Sequence, residues 1–354
     1  MEELRDLRRR IRSVRGTQQI TRAMSLVAST RLRRIERLVD PARTYAGALR
    51  RIVVDIAART PPWAHPLLKP AEVAAPAYLV ITSDRGLAGG YNAEILRLAM
   101  AHISRVPAGG RGRITVMAAG RKGRDFFRRR GLQPAKEYVH LPDTPDERLA
   151  RRMAEDLLAL YVDGRIDSLH LVFGRFMSRG SYRPDVIQLL PVEKAQQAGY
   201  QDRGQGKGEG EDEDEDWDGG ENGDDGQDRN RVRDVHQDPN PGGERGSGRE
   251  EGDGRESHAR TDEDRGDFDL PLTYEPSPES VLDRLFPHYL VSVVYAALVE
   301  AKASELAART IAMDSATDNA GELMERLTLT YNRARQAEIT QEISEIATGA
   351  ESLR

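Results

Sequence analysis

Two apolar stripes, one near each end of the chain, narrow the folds open to it. In residues 1–59, Leu4, Leu7, Ile11 and Val14 step by three, four and three, the spacing of a heptad seam. Ile20, Met24, Val27, Ile35, Leu38, Leu49, Ile52 and Ile56 carry the stripe onward with some drift. A stripe held this long predicts a coiled-coil helix of roughly 80 Å rather than a short surface helix. Gly16 weakens it mildly. Pro41 removes a backbone hydrogen bond, so a bend, or a break into a second helix, is expected there. Residues 279–354 repeat the pattern. Leu282, Leu285, Tyr289, Val293, Ala297 and Leu298 open one face, and Ala316, Leu323, Leu327, Ala334, Ala337, Ile343 and Ile346 extend it. Ser277 or Ser280 could cap its start, and the small residues between 296 and 309 permit close helix approach. The two segments most simply pair as an antiparallel coiled coil.

Between them the period changes. After a turn-rich connector at 60–70, short apolar runs at 77–82, 113–118, 135–140, 169–173 and 185–190 read as strands. Residues 91–103, 122–130 and 145–162 have helical spacing, the last with Pro145 near its start, where proline fits. Strand–helix alternation over 76–195 predicts a mostly parallel, Rossmann-like βα domain. The fold class is therefore α/β with long helices.

Charge divides the chain again. Residues 201–267 hold 24 Asp+Glu against 10 Lys+Arg and 15 of the 32 glycines, so the formal net charge of −5 averages an acidic segment with a basic remainder. With almost no apolar side chain, residues 196–269 cannot offset chain entropy by burial and read as a disordered acidic, Gly-rich insertion. Residues 1–60 are the basic counterpart, with 15 Arg against 6 Asp+Glu. A solvated coil face, nucleic-acid binding and docking on an acidic protein surface all fit that excess. The absence of interleaved aromatics favours the protein surface over nucleic acid.

Other classes drop out. With no cysteine there is no disulfide, thiolate metal site or thiol switch. No apolar run approaches the ~20 residues of a membrane span, and the basic N-terminus lacks the apolar core of a secretory signal. The turn SDRGLAGGYN (83–92) follows a strand and precedes a helix, where glycine could free backbone N–H groups for a phosphate. It matches neither phosphate-loop nor dinucleotide spacing, and a tight strand-to-helix turn is the simpler reading. The run at 214–225 resembles a calcium loop but has no flanking amphipathic helices. The seven histidines form no ligand pair by spacing, and Asp314 and Asp318, one helical turn apart, read as a solvated face. No nucleophile, base and orienting group assemble, so neither catalytic nor metal-binding residues are expected, and no cofactor.

Several blocks carry a resemblance. QQITRAMSLVAS (18–29), ITSDRGLAGGYN (81–92), AAGRKGRDFF (118–127), LLPVE (189–193), YEPSPESVLDRLFPHYL (274–290), ASELAARTIAMDSATDNAGEL (303–323) and YNRARQAEITQEISEIATGA (331–350) resemble, in order, the γ subunits of bacterial F-type ATP synthases. The resemblance implies a non-catalytic rotor shaft whose coil sits inside a hexamer of α and β subunits. The sheet domain would lie near the ε subunit and the c-ring, at the cytoplasmic face of the cell membrane, held there peripherally. It also implies that Met24, Arg335, Gln336, Thr340 and Glu342 touch the β subunits. The acidic insertion lies near the place where chloroplast relatives carry a cysteine-dependent regulatory segment, and a chain without cysteine cannot use that switch. A plain loop, or an electrostatic brake on the basic coil, are the readings left for it. A free-standing coiled-coil adaptor or nucleic-acid-binding protein is the alternative for the whole chain, but such a protein has no need of the last block.

Overall fold

The computed structural model describes residues 2–61, 63, 65–68, 75–106, 114–192, 275 and 277–351. The acidic insertion, its calcium-like run and the brake reading lie outside the described residues.

Helix α1 (Glu2–Arg59, 58 residues) opens the chain and α5 (Pro278–Glu351, 74 residues) closes it. Between them run β1 (Pro76–Ile81), α2 (Tyr91–Ser104), β2 (Thr115–Ala119), α3 (Arg121–Arg129), β3 (Lys136–Tyr138), α4 (Glu147–Val162), β4 (Ser168–Ser178) and β5 (Ser181–Leu190). The break allowed for at Pro41 is absent, and α1 continues through it. Asp40 and Pro41 are exposed while Val39 and Ala42 are buried. The hydrogen bond that Pro41 removes from the Arg37 carbonyl thus lies on the exposed side of α1, and seam packing on the other side holds the helix together.

Strand order is β3-β2-β1-β4-β5, parallel except for the antiparallel β4–β5 pair. Along β1, Ala77, Leu79 and Ile81 enter one core, shared with α1, α4 and α5. Tyr78 and Val80 enter another, shared with α2 and α3. Burial on both faces is why the strand reads as an unbroken apolar run. A third cluster is the coil seam, where Ala28, Leu32, Ile35 and Val39 of α1 meet Val299, Ala303, Leu306 and Ala307 of α5. The coil and the sheet thus share apolar cores along one side. In the described part of the connector, Thr60 Oγ donates to the Ile56 carbonyl (2.7 Å) and His65 Nε2 lies 3.0 Å from Asp283.

A polar cluster inside the sheet escapes sequence reasoning. Tyr78, His102 and His170 come from β1, α2 and β4, with ring centroids 5.0–5.6 Å apart, and Tyr78 Oη lies 3.1 Å from His102 Nδ1. Burial, with the charge of His102 second, pushes His170 down to about 4; Gln188, Asp167 and the Ala77 backbone oppose the shift. Burial, with Arg105 second, also lowers His102. A histidine held neutral below its unfolded value binds fewer protons than the unfolded chain. Its stability contribution is whole above pH ~6.5 and is lost as pH falls toward 4, by about 3 kcal/mol for His170. Urea midpoints measured from pH 7 to 4.5 should fall accordingly, and His170→Phe should flatten the slope.

Candidate partner-contact surfaces

The coil is antiparallel. Arg8 Nε donates to Tyr331 Oη (2.7 Å), Thr21 and Thr317 hydroxyls lie 2.7 Å apart, and Arg43 Nη2 reaches Glu300 (2.9 Å). Extending the Arg8–Tyr331 register sets Glu2, the first described residue of α1, opposite about residue 337, so about 14 residues of α5, or about 20 Å, lie beyond the described part of α1. Ile339, Ile343 and Ile346 lie on this extension, 46%, 62% and 73% exposed. Arg335, Gln336, Thr340 and Glu342 are exposed beside them. At 100° per residue all seven fall within about half the helix circumference. The hydroxyl of Thr340 donates to the Gln336 carbonyl (2.9 Å).

Met24 does not join that group. It is half-buried on α1, about 20 residues and so roughly 30 Å along the coil from the level of Arg335. It lines a separate open cleft of about 900 Å³, with Ile20 and Val27 beside it, the loop Asp84–Leu87 across from it, and Lys302 and Arg309 of α5. The five residues therefore form two surfaces. Exposed Ile20 (62%) and Val27 (52%) flank Met24 and were read from the sequence as seam residues. The drift of the stripe against a strict heptad was the signal that could have separated them. Asp314 and Asp318 are exposed, as a solvated face requires.

The turn at 83–92 is closed by its own groups. Asn92 Oδ1 accepts from the Ser83 backbone N–H (2.9 Å), and Asn92 Nδ2 donates to Ser83 Oγ (2.8 Å). At the neighbouring start of α3, Asp84 Oδ1 accepts from the Arg121 N–H (2.9 Å), the Ser83 carbonyl from Lys122 (3.1 Å) and Thr82 Oγ from Gly123 (2.9 Å). Asp84 Oδ2 takes the Leu141 N–H (2.6 Å). A carboxylate of the turn thus accepts a backbone N–H at the start of α3, while the start of α2, at Gly90, carries no side-chain cap.

Most of the basic surplus of α1 stays at the surface. Arg5, Arg9, Arg10, Arg12, Arg15, Arg22, Arg33, Arg34 and Arg37 are exposed. Among the described residues no group of three or more His, Asp or Glu could hold a metal ion, and no helix is long and apolar enough to cross a membrane.

A long antiparallel coil with exposed isoleucines near the end of α5, joined along one side to a mostly parallel sheet, is the architecture of an elongated coiled-coil α/β protein. The family model described as ATP synthase matches residues 3–353. The ATP synthase gamma chain of Moorella thermoacetica is 38% identical over 354 residues, covering all of both chains. That of Alkaliphilus metalliredigens is 36% identical over 351 residues, covering 99% of each. In fold, the chain is similar to one in the Euglena gracilis mitochondrial ATP synthase, OSCP/F1/c-ring, rotational state 3. The TM-score is 0.59 at 16% identity, covering 99% of this chain and 95% of that one. A chain of the rotor of the same enzyme, rotational state 1, gives 0.57 at 16%, covering 96% and 99%. The chain belongs to the ATP synthase gamma-chain family and has the gamma-subunit role in an F-type ATP synthase.

Proposed function

We propose that the chain is the central shaft of that complex and has no catalytic site of its own. One observation carries the reading: the end of α5 runs past the described part of α1 with Ile339, Ile343 and Ile346 exposed along one side. An apolar stripe on a lone helix is poorly placed in water and fits inside a collar of other subunits. A hexamer of α and β subunits supplies that collar, and the sheet domain faces the ε subunit and the c-ring. Through that ring the chain is peripheral to the cytoplasmic face of the cell membrane.

Coupling follows from asymmetry. Three otherwise equal catalytic subunits around one coil meet three different faces of it. Each conformation is stabilised by the face it prefers, so rotation cycles the three sites through their states. Arg335, Gln336, Thr340 and Glu342 are the polar contacts at the tip, and Met24 is a contact lower on the coil. A guanidinium keeps its charge and offers a fixed fork to a carboxylate. Replacing the four tip residues by alanine should leave thermal stability within about 0.5 kcal/mol, since all are exposed, and lower ATPase activity of the assembled complex several-fold. Co-expression with the α and β chains of the same synthase tests the assignment. Three α, three β and one copy of this chain should purify together with ATPase activity, and a chain that stays a lone monomer beside α and β would overturn it.

A further inference from the structure

Strand β4 outlasts its neighbour. The β1–β4 ladder ends at Val80 and Val172, while β4 continues to Ser178. From Phe173 onward, among the described residues, only β5 flanks it in the sheet. Its other edge would leave backbone groups open at Gly174 and Phe176, two residues apart and so on the same edge.

The coil fills that edge with side chains. Ser304 Oγ of α5 donates to the Gly174 carbonyl (2.9 Å). Glu300 Oε2, one turn earlier on α5, accepts the Phe176 N–H (3.2 Å). Arg43 of α1 donates through Nη2 to the Phe176 carbonyl (3.0 Å) and to Glu300 Oε2 (2.9 Å), and through Nε to Glu300 Oε1 (3.3 Å). Both Glu300 and Ser304 are buried, at 1% and 0% exposed. Gly174 is needed for the approach: a Cβ there would lie 2.7 Å from the Tyr91 ring and 3.2 Å from Ser304 Cβ. Tyr91 Oη, in turn, donates to the Ala301 carbonyl (2.9 Å).

One buried carboxylate therefore joins both helices of the coil to the sheet through a forked ion pair and a strand backbone. Apolar packing resists separation of two bodies but resists sliding weakly, because it is non-directional. Directional, charge-assisted hydrogen bonds to a strand backbone resist sliding. We propose that Glu300, with Arg43 and Ser304, is the staple that carries torque between the sheet domain and the coil. Glu300 is a positioning residue for coupling and touches no reacting group. The inference rests on the shaft reading and deepens it.

The test uses the whole synthase in proteoliposomes, with ATP hydrolysis and ATP-driven proton pumping measured on the same vesicles. Glu300→Gln keeps one acceptor oxygen and loses the charge; Ser304→Ala removes one hydroxyl. Each should lower protons pumped per ATP by about twofold or more while ATP hydrolysis persists. A control, Leu160→Ala, deletes apolar bulk from α4 in the core that the sheet shares with the coil and, because apolar packing is non-directional, should lower thermal stability with the pumping ratio intact. Glu300→Ala, which leaves Arg43 without its carboxylate, should cost more than Glu300→Gln; if it does not assemble, the two milder variants decide. Pumping ratios equal to wild type in both milder variants would overturn the staple. A wild-type complex that hydrolyses ATP without pumping would instead overturn the shaft reading.

Discussion

Gly120→Ala should destabilise the chain by about 3 kcal/mol or more, enough to lower its yield as a folded protein. Gly120 joins β2 to α3 with φ +96° and ψ 141°, a conformation that side chains rarely adopt. A Cβ there would overlap the Thr82 carbonyl oxygen and lie 2.6 Å from its carbon. Thr82 cannot retreat. Its N–H donates to the Ala119 carbonyl (2.8 Å), and its hydroxyl donates to that carbonyl (3.0 Å) and accepts from Gly123 (2.9 Å). Backbone strain and displaced hydrogen bonds therefore add. Gly16→Ala is the matching control. It sits in α1 with nothing within 4 Å of the new methyl, and should stabilise by about 0.5–1 kcal/mol, the helix cost of glycine. Thermal melts of the two variants should move in opposite directions.

Ile35→Asp should cost about 4 kcal/mol or more and prevent assembly with the partner subunits. Ile35 is 1% exposed and lies in the seam cluster with Leu32, Val39, Val299 and Ala303. The alanines on α5 bring the helices close, so the seam has no room for the water an ionised carboxylate needs. The new group either stays charged against apolar neighbours or takes up a proton at a free-energy cost, and both outcomes open the coil. Ile343→Asp makes the same change at a position 62% exposed on the lone end of α5. Its effect on the chain's own melting should stay within about 0.5 kcal/mol. Equal losses in the two variants would contradict the division between seam and tip.

The sequence reading was strongest where period and length agree. Both long helices could be read because their stripes persist over many turns, and β1 because five apolar residues in a row end at a polar turn. β4 and β5 were read only at their apolar ends, 169–173 and 185–190. The rest of the hairpin carries Arg175, Arg183 and Pro184, which speak against a strand. Pro184 is tolerated because β5 is the edge of the sheet, and Arg175 because Asp185 lies across the hairpin at 2.6 Å. Edge position and cross-strand pairing are tertiary facts with no local signature. The same holds for Asp84, Glu300 and the His102–His170 pair, whose partners are tens to hundreds of residues away. Of the five residues proposed as contacts, Arg335, Gln336 and Thr340 lie about one turn apart and so can be put on one helix face from spacing alone, while the distance between Met24 and that face emerges only from the pairing of the two helices.

The central claim is that this chain turns within a ring of catalytic subunits. The direct measurement fixes the α and β subunits of the assembled complex to a surface and attaches a bead to the sheet domain, then follows the bead under ATP. The chain has no native cysteine, so one introduced at an exposed residue of α3, such as Arg129, is its single thiol for the bead once surface cysteines of α and β have been replaced. Stepwise rotation in one direction, stopping when ATP is exhausted, is the result expected of a shaft. Sustained ATP hydrolysis under a bead that does not turn would contradict it.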